Sequence, residues 1–311
     1  MGRYVIRRLL QSILVVVGVT FLVFIILYQT GDPVQLLVGP DATKDDIAQI
    51  RHEMGFDRPW YVQYADFMSG AVHGDFGTSL RQDQPVWDLV VERLPATLEL
   101  AIAAFVLSLV ISLPVGIISA TRRNSIWDNL SMGGALFGQS LPVFFLGIIL
   151  IYIFAGQLKI LPSFGRGSGG IQSQFSHLVL PAITLGTFSL ARNARLIRSS
   201  LLEVLGLEFV KTARAKGLTE NTVVWRHALK NALIPVVTIF GLEFGNLLGG
   251  AVITETVFAW PGVGRMVILA IQQRDFPLVV GTVTVVAIIF VILNLLVDLL
   301  YGLLDPRVRY S

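Results

Sequence analysis

Four long, strongly apolar stretches of this chain contain no charged residue, and they constrain its fold more than any other feature. They cover residues 9–28, 100–121, 129–158 and 276–297. A helix needs about 20 consecutive apolar residues to cross the hydrocarbon core of a bilayer. Only 14% of the 311 residues are charged, whereas soluble domains carry about 25%. The sequence therefore predicts an all-α integral membrane protein.

The first apolar stretch resembles a signal peptide, but it is too long for one. It has 20 residues, whereas the apolar region of a signal peptide has about 7–15. No A-x-A-like cleavage site follows it. We therefore predict a retained helix whose start is held in the cytoplasm by Arg3, Arg7 and Arg8.

Six transmembrane helices are predicted, at about 9–28, 96–120, 131–156, 178–197, 232–253 and 277–300. The fourth is weakly marked because Arg192 follows closely on its start, and Glu243 interrupts the fifth. Pro142 lies within the third helix and is expected to kink it, because proline removes a backbone hydrogen bond.

The distribution of basic residues predicts that both termini are cytoplasmic. With the N-terminus inside, 15 of the 24 Lys and Arg residues lie on the cytoplasmic side. Five of the other nine fall in the long loop 29–96, and loops beyond about 60 residues contribute little to orientation. The predicted organisation is a first helix with a long extracytoplasmic loop (1–93), a core (94–303) and a cytoplasmic tail (304–311).

The extracytoplasmic loop carries its own helix signals. Thr43 and Asp46 resemble a capping box, and Gly55 suits the end of the helix that would follow. Further along stands an aromatic cluster of Trp60, Tyr61, Tyr64 and Phe67. Packing at the membrane interface is the favoured interpretation of this cluster; the alternative is a docking surface for an external partner.

Residues 192–230 form a cytoplasmic segment that is longer than a connection between neighbouring helices requires. We predict one short helix over 208–215, stopped by Gly217, and another over 219–230. Two interpretations are open on the residues alone: a rigid element that transmits a push, or a basic loop that attracts anionic lipid. At the segment's start, Arg192, Arg195 and Arg198 are interpreted as membrane anchors rather than as partner contacts.

The fifth predicted helix carries glycines four residues apart, at Gly241, Gly245 and Gly249. This spacing places them on one face, where they permit tight packing or line a dimer interface or pore. Glu243 and Asn246 lie between them. A carboxylate at this depth is a functional candidate, and a buried structural hydrogen bond is the competing interpretation.

Several sequence signatures of catalysis are absent. The chain has no G-x4-G-K-[ST], no G-x-S-x-G and no H-E-x-x-H pattern, no cysteine, and four scattered histidines. We therefore predict no catalytic residue, no metal site and no ATP hydrolysis by this chain. Its basic residues flank apolar runs, which indicates contact with membrane lipid and not with nucleic acid.

Distinctive motifs recur along nearly the whole chain. They are RYVIRRLL at the start, Gly31-Asp32-Pro33, GFDRPWYVQY (55–64), GDFGTS (74–79), ARAKGLTE (213–220), RHALKNALIPVVT (226–238), ETVFAWPGVGR (255–265) and DPRVRY near the end. In this combination and order they resemble the first-type permease subunit of dipeptide/oligopeptide-type ABC importers.

The resemblance implies a type I ABC importer permease fold in a prokaryotic plasma membrane. It also implies four kinds of partner: a second homologous permease, two ATP-binding subunits that carry ATP and Mg, an extracytoplasmic substrate-binding protein and membrane lipid. No cofactor is expected on this chain itself.

The candidate functional residues fall into two groups, the first implied by the resemblance and the second inferred from the spacing of residues on the fifth predicted helix. The residues for coupling to the ATPase are Lys211, Thr212, Ala213, Arg214, Ala215, Lys216 and Gly217. The residues for the translocation pathway or permease interface are Gly241, Glu243, Gly245, Asn246 and Gly249. The coupling segment departs from the wider superfamily, because Lys211-Thr212 stands where Glu-Ala is usual, and because the distance from Gly217 to Pro235 is longer.

The function implied is import of peptides, driven by ATP hydrolysis in partner subunits. Glutathione, nickel chelates and oligosaccharides are alternative substrates for transporters of this resemblance. A secondary transporter driven by an ion gradient is the rival class, supported by Glu243 at membrane depth but not by any repeat of the two halves.

Overall fold

The computed structural model describes residues 2–30, Val34 and residues 43–304. Gly31-Asp32-Pro33, which belongs to the family resemblance, lies outside these described residues. So does the predicted cytoplasmic tail, apart from Leu304.

The described part of the chain is helical throughout, and within it the one β-type pairing is an isolated bridge between Thr78 and Pro85. The helices are α1 (Gly2–Thr30), α2 (Lys44–Glu53), α3 (Trp60–Val72), α4 (Val86–Thr121), α5 (Ile126–Ser140), α6 (Val143–Leu150), α7 (Ile171–Leu205), α8 (Glu208–Ala215), α9 (Glu220–Thr222), α10 (Leu229–Val257), α11 (Val263–Gln272) and α12 (Phe276–Leu304). Two wider π-helical turns, Ile151–Gln157 and Val223–Ala228, continue α6 and α9.

Three of these helices are long and apolar enough to cross a membrane, over Leu10–Gln29, Val86–Thr121 and Phe276–Leu295. A fourth crossing is formed if α5 and α6 count as one span, and these two helices meet at an angle of 104°. Pro142 stands at the break as the N-cap of α6, so the predicted kink is confirmed.

Helices α7 and α10 are as long as spanning helices, but α7 is charged from Arg192 onwards, and α10 contains Lys230, Glu243 and Glu255. Helix α7 begins at Ile171, immediately after Gly170, whose φ of 92° ends the preceding loop. Helix α7 therefore starts seven residues before the fourth predicted helix, 178–197. Helix α7 also continues to Leu205, because polar residues beyond the apolar stretch extend the helix without a breaker.

The chain forms two compact units, one of residues 1–95 with 262–311 and the other of residues 96–261. In the first unit, α12 packs along α1 and α11. Gly281 of α12 meets the backbone of the loop before α4 so closely that a Cβ atom there would lie 2.6 Å from the Phe76 carbonyl oxygen. The GDFGTS motif therefore lies directly against α12.

Asp275 anchors the same loop at the start of α12. Its carboxylate accepts hydrogen bonds from the Ser79 hydroxyl at 2.6 Å and from the Leu80 and Arg81 amides at 3.2 and 3.3 Å. It also accepts one from the Leu278 amide of its own helix at 3.2 Å. A buried carboxylate is stable when it is hydrogen-bonded in this way, so Asp275 fixes the loop to the helix end.

The short helices α2 and α3 also belong to the first unit. Thr43 and Asp46 form the predicted capping box of α2, and Gly55, with φ of 70°, follows its end. In α3, the Trp60 and Tyr64 rings contact Phe21 of α1 edge-on at 6.1 and 5.4 Å. These two rings of the aromatic cluster therefore pack against α1, and the position of the cluster at the membrane interface stays a prediction.

In the second unit, α7 packs closely against α10, α5 and α6. Helices α4 and α7 approach each other so closely that a Cβ atom at Gly186 would lie 2.8 Å from the Ala104 carbonyl oxygen. The segment after α10 is anchored by Trp260, which is fully buried and donates its indole N–H to the Ala96 carbonyl at 2.8 Å.

Candidate functional site

Helix α8 corresponds to the short helix predicted at 208–215, and it ends as predicted. Lys216 caps it, and Gly217 follows with φ of 79°, a left-handed conformation that glycine adopts readily. The Gly217 amide donates to the Arg214 carbonyl at 2.9 Å. The glycine therefore turns the chain sharply out of α8.

One face of α8 is buried in the second unit. Val210 and Ala213, three residues apart, are 0% and 8% exposed. Both belong to a hydrophobic cluster with Ile117 of α4 and with Ile197 and Leu201 of α7. Residues at i and i+3 lie on the same helix face, so α8 is fixed rigidly to the helices beside it.

The opposite face of α8 is exposed and polar. Of the seven predicted coupling residues, Ala213 is buried, and the other six, Lys211, Thr212, Arg214, Ala215, Lys216 and Gly217, are exposed. The exposed residues present three basic side chains and one hydroxyl on a rigid support. This division between a packed and a free face is what a docking helix requires.

An ion pair joins α8 to the segment after Gly217. The Arg214 guanidinium donates to the Glu220 carboxylate through Nε at 3.0 Å and Nη2 at 2.6 Å. These hydrogen bonds hold the pKa of Glu220 below its ordinary value and raise the pKa of Arg214. Because both side chains are exposed, the pair positions the turn more than it stabilises the fold.

The second predicted cytoplasmic helix, 219–230, does not end before the next span. Helix α9 continues through the π-turn Val223–Ala228 directly into α10, and Pro235 lies inside α10. No helix breaker stands between residues 223 and 234. The buried side chains of Val223, Val224 and Ala228 also hold this path against the same cluster as α8.

Helix α10 carries the five predicted pathway or interface residues, Gly241, Glu243, Gly245, Asn246 and Gly249. Glu243 and Gly245 are buried, whereas Asn246 and Gly249 are exposed. A Cβ atom at Gly249 would meet nothing within 4 Å. Packing within the described chain therefore does not require a glycine at this position.

Glu243 is 2% exposed and is held by α7. Its Oε1 accepts a hydrogen bond from the Ser189 hydroxyl at 2.7 Å, and its Oε2 lies 3.6 Å from Nη1 of Arg192. Oε2 has no hydrogen-bond partner among the described residues. Nearby on α7, the Asn193 amide donates to the Ser108 hydroxyl of α4 at 3.1 Å. A polar cluster thus lies between the helices.

The other two arginines of α7 have partners on α5. Arg198 forms a two-pronged ion pair with the buried Asp128, at 2.8 and 2.7 Å, and Arg195 donates to Gln139 at 2.6 Å. Membrane anchoring is therefore an incomplete interpretation of these arginines. Sequence reasoning missed Asp128, although it is the one acidic residue between Glu99 and Glu203.

Within the part of the chain that the structure describes, no group of three or more His, Asp and Glu side chains is arranged to hold a metal ion. The polar clusters found there consist of hydroxyl, amide and paired charged groups. Such groups connect neighbouring helices and hold them in position.

Two family models cover almost the whole chain. Residues 112–310 match the binding-protein-dependent transport system inner membrane component. Residues 1–101 match the N-terminal part of the membrane component of such systems. The chain belongs to this family, as a permease subunit of the dipeptide/oligopeptide ABC importer type.

Three curated relatives match this chain over 99–100% of their length. The chain is 43% identical to a dipeptide transport system permease of Alkalihalophilus pseudofirmus, covering 99% of both chains. It is 41% identical to a dipeptide transport system permease of Escherichia coli K12, covering 100% of both. It is also 41% identical to a glutathione transport system permease of Escherichia coli, again covering 100% of both.

Two solved structures share the fold. A methionine ABC transporter in inward-facing conformations matches with a TM-score of 0.56 at 20% identity, covering 70% of this chain and 96% of that one. An amino acid ABC transporter matches with a TM-score of 0.52 at 18% identity, covering 71% and 94%. These similarities concern the fold alone.

The family fixes the class and the location of the protein. It is a multi-pass component of the prokaryotic plasma membrane. It is a permease subunit and not an ATPase. The predicted resemblance is confirmed.

Proposed function

We propose that this chain forms half of the translocation pathway of an ATP-driven importer of peptides. The observation that carries the proposal is the two-faced helix α8, whose Val210 and Ala213 are packed into the second unit while Lys211, Thr212 and Arg214 face outward. A helix fixed in this way transmits a displacement to α7 and α10, which flank it in sequence. Bistable rigid-body movement of helices is an established means of switching.

The proposed topology has six spans and two cytoplasmic termini, with a core of residues 94–303 between the first unit's long loop and the tail. Helices α1, α4, the bent α5–α6 pair and α12 supply up to four spans, and we assign the remaining two to α7 and α10. Their charges support this assignment because Glu243 is paired within the helices. Membrane-embedded charges ordinarily face such partners.

The proposed partners are two ATP-binding subunits with ATP and Mg, a second homologous permease and an extracytoplasmic substrate-binding protein. The exposed residues of α8, with the buried Ala213 as its support, are assigned to the ATPase contact. Asn246 and Gly249, on the exposed side of α10, are assigned to the second permease or the pathway. Gly241, Glu243 and Gly245 support that surface from the same helix.

Short peptides are the proposed substrate class, because two relatives of 41–43% identity are dipeptide permeases. Glutathione, itself a tripeptide, is the second candidate because a glutathione permease matches at 41% over the full length. Identifying the ligand retained by the cognate binding protein on purification, by mass spectrometry, decides between them.

The experiment that tests the transporter class is uptake of labelled peptide by proteoliposomes containing the complete importer. Uptake is expected to require ATP inside and to survive collapse of the ion gradient by an ionophore. ATPase subunits are expected to co-purify with the permease. Uptake that stops with the gradient and continues without ATP would instead establish a secondary transporter.

A further inference from the structure

A cavity of about 390 Å³ in the first unit is lined by two arginines and two glutamines. Arg81 and Gln82 come from the loop that precedes α4, Arg93 from α4 itself, and Gln273 from the end of α11. The rest of the lining is apolar and consists of Met266, Leu269, Ala270 and Leu278. The cavity therefore combines a doubly positive end with an apolar wall.

The positive charges in this cavity are not neutralised within the described chain. Neither Arg81 nor Arg93 has an ion-pair partner among the residues that the structure describes. The Nε atom of Arg93 is buried and has no hydrogen-bond acceptor there. A buried donor without an acceptor is unfavourable, and a guanidinium is suited to two-pronged contact with an oxyanion.

The loop that carries Arg81 is held rigidly. Its backbone amide donates to Asp275 at 3.3 Å, and the neighbouring Ser79 hydroxyl donates to the same carboxylate at 2.6 Å. Because Asp275 also accepts from Leu80 and Leu278, its oxygens are occupied by these donors. Asp275 thus holds the backbone of the loop. It does not form an ion pair with the Arg81 guanidinium, which can therefore bind a ligand.

The cavity lies where the apolar helices begin. Leu278 is in the first turn of α12, whose apolar segment starts at Phe276. Arg93 precedes the uncharged stretch 100–121 of α4 by seven residues. On α11, Leu269 and Ile271 are 37% and 46% exposed. In the topology proposed above, this level corresponds to the phospholipid headgroups, where basic side chains and amphipathic helices meet the bilayer.

We propose that this cavity binds an anionic phospholipid, with Arg81 and Arg93 on the phosphodiester oxygens and the apolar wall against the glycerol and upper acyl chain. A zwitterionic lipid has the same phosphodiester, but its headgroup cation would face two arginines. Phosphatidylglycerol is therefore expected to bind in preference to phosphatidylcholine. The bound lipid would connect α4, α11 and the loop at the outer boundary of the proposed topology.

The test is a lipid titration of the purified full-length chain in delipidating detergent, followed by native mass spectrometry. For the first bound phosphatidylglycerol, Arg93→Gln and Arg81→Gln are each expected to lower affinity about tenfold, the loss of one charge-assisted contact. Arg274→Gln is the matched control, because Arg274 is exposed and does not line the cavity. Its affinity is expected to stay within about twofold of wild type.

Three outcomes would overturn the proposal. The first is equal retention of phosphatidylglycerol by wild type and by both cavity variants. The second is binding of phosphatidylcholine as tight as that of phosphatidylglycerol. The third is displacement of the lipid by free glycerol phosphate at equal concentration, which would assign the cavity to a soluble oxyanion. Arg81→Gln lies on a surface loop, so it keeps the test valid if Arg93→Gln fails to fold.

Discussion

The Ser189 hydroxyl donates a 2.7 Å hydrogen bond to the Glu243 carboxylate, and this bond joins α7 to α10. The second carboxylate oxygen lies 3.6 Å from Arg192, one turn further along α7. In the sequence, α7 precedes α8 and α10 follows it, and both helices contribute to the hydrophobic cluster that holds α8. Glu243 therefore connects the two supports of the proposed coupling helix.

Replacing Glu243 with alanine is expected to weaken the contact between α7 and α10. Glu243→Ala leaves the Ser189 hydroxyl without its acceptor and removes the negative charge that lies 3.6 Å from Arg192. Loss of the hydrogen bond destabilises the protein by about 1–3 kcal/mol. We expect fewer peptides imported per ATP hydrolysed, measured in proteoliposomes of the complete importer. Ser189→Ala, which removes one donor and keeps the charge, is the control with the smaller effect. Unchanged uptake across several peptides would return Glu243 to a structural role.

Gly217→Pro is expected to abolish transport while the protein stays in the membrane. Proline fixes φ near −65°, whereas Gly217 has φ of 79° and donates its amide to Arg214. The change therefore redirects the chain after α8 and detaches the ATPase, which co-purification measures. Gly217→Ala keeps the amide and strains φ by about 1–2 kcal/mol, so it should weaken coupling less. Normal uptake by the proline variant contradicts the assignment of α8.

The ion pair of Asp128 and Arg198 is expected to stabilise the second unit. Asp128→Asn leaves Arg198 without its charged partner in a largely buried site, and breaking such a pair costs about 3–5 kcal/mol. The thermal unfolding temperature of the purified protein should fall accordingly. Gln139→Ala removes the neutral partner of Arg195 and should cost about 1 kcal/mol. Equal shifts for both variants would show that the charge at Asp128 is unimportant.

Local signals in the sequence predicted several elements correctly because their causes are local. The capping box of Thr43 and Asp46, the stop at Gly217 and the bend at Pro142 each depend on residues within one helical turn. The second predicted cytoplasmic helix, 219–230, is helical but does not stop before the next span. Burial of Val223 and Ala228 against other helices continues the helix into α10, and single-segment patterns do not reveal such burial.

The predicted coupling residues lie on α8 and the turn after it, and the predicted pathway residues lie on α10. Their contacts depend on other helices, and their roles stay predictions. The sequence does not show that Ala213 faces inward while Arg214 faces outward, because that division follows from the position of α8 against Ile197 and Leu201. Likewise, the partner of Glu243 is 54 residues away at Ser189. Contacts across such distances become visible only when the helices are packed.

The turn after α8 is expected to loosen in acid. The pKa of Glu220 is lowered by hydrogen bonds from Arg214, so the pair is fully formed above the ordinary glutamate pKa of about 4.3. It is lost as the pH falls through the lowered pKa. Hydrogen-exchange protection of residues 217–220 should drop in that range. Glu220→Gln should show low protection at every pH, and the same pH dependence in this variant would exclude the ion pair as the cause.

Gly281→Ala is expected to destabilise the first unit by forcing the GDFGTS loop away from α12. The new Cβ atom would lie 2.6 Å from the Phe76 carbonyl oxygen and 2.9 Å from a Val86 methyl carbon. Overpacking of this kind costs about 1–3 kcal/mol, measured as a lower unfolding temperature. Gly18→Ala in α1 is the matched control, because a Cβ atom there meets nothing within 4 Å. Since alanine favours helix over glycine by about 1 kcal/mol, the control should be neutral or stabilising, and a stabilising Gly281→Ala would contradict this close approach.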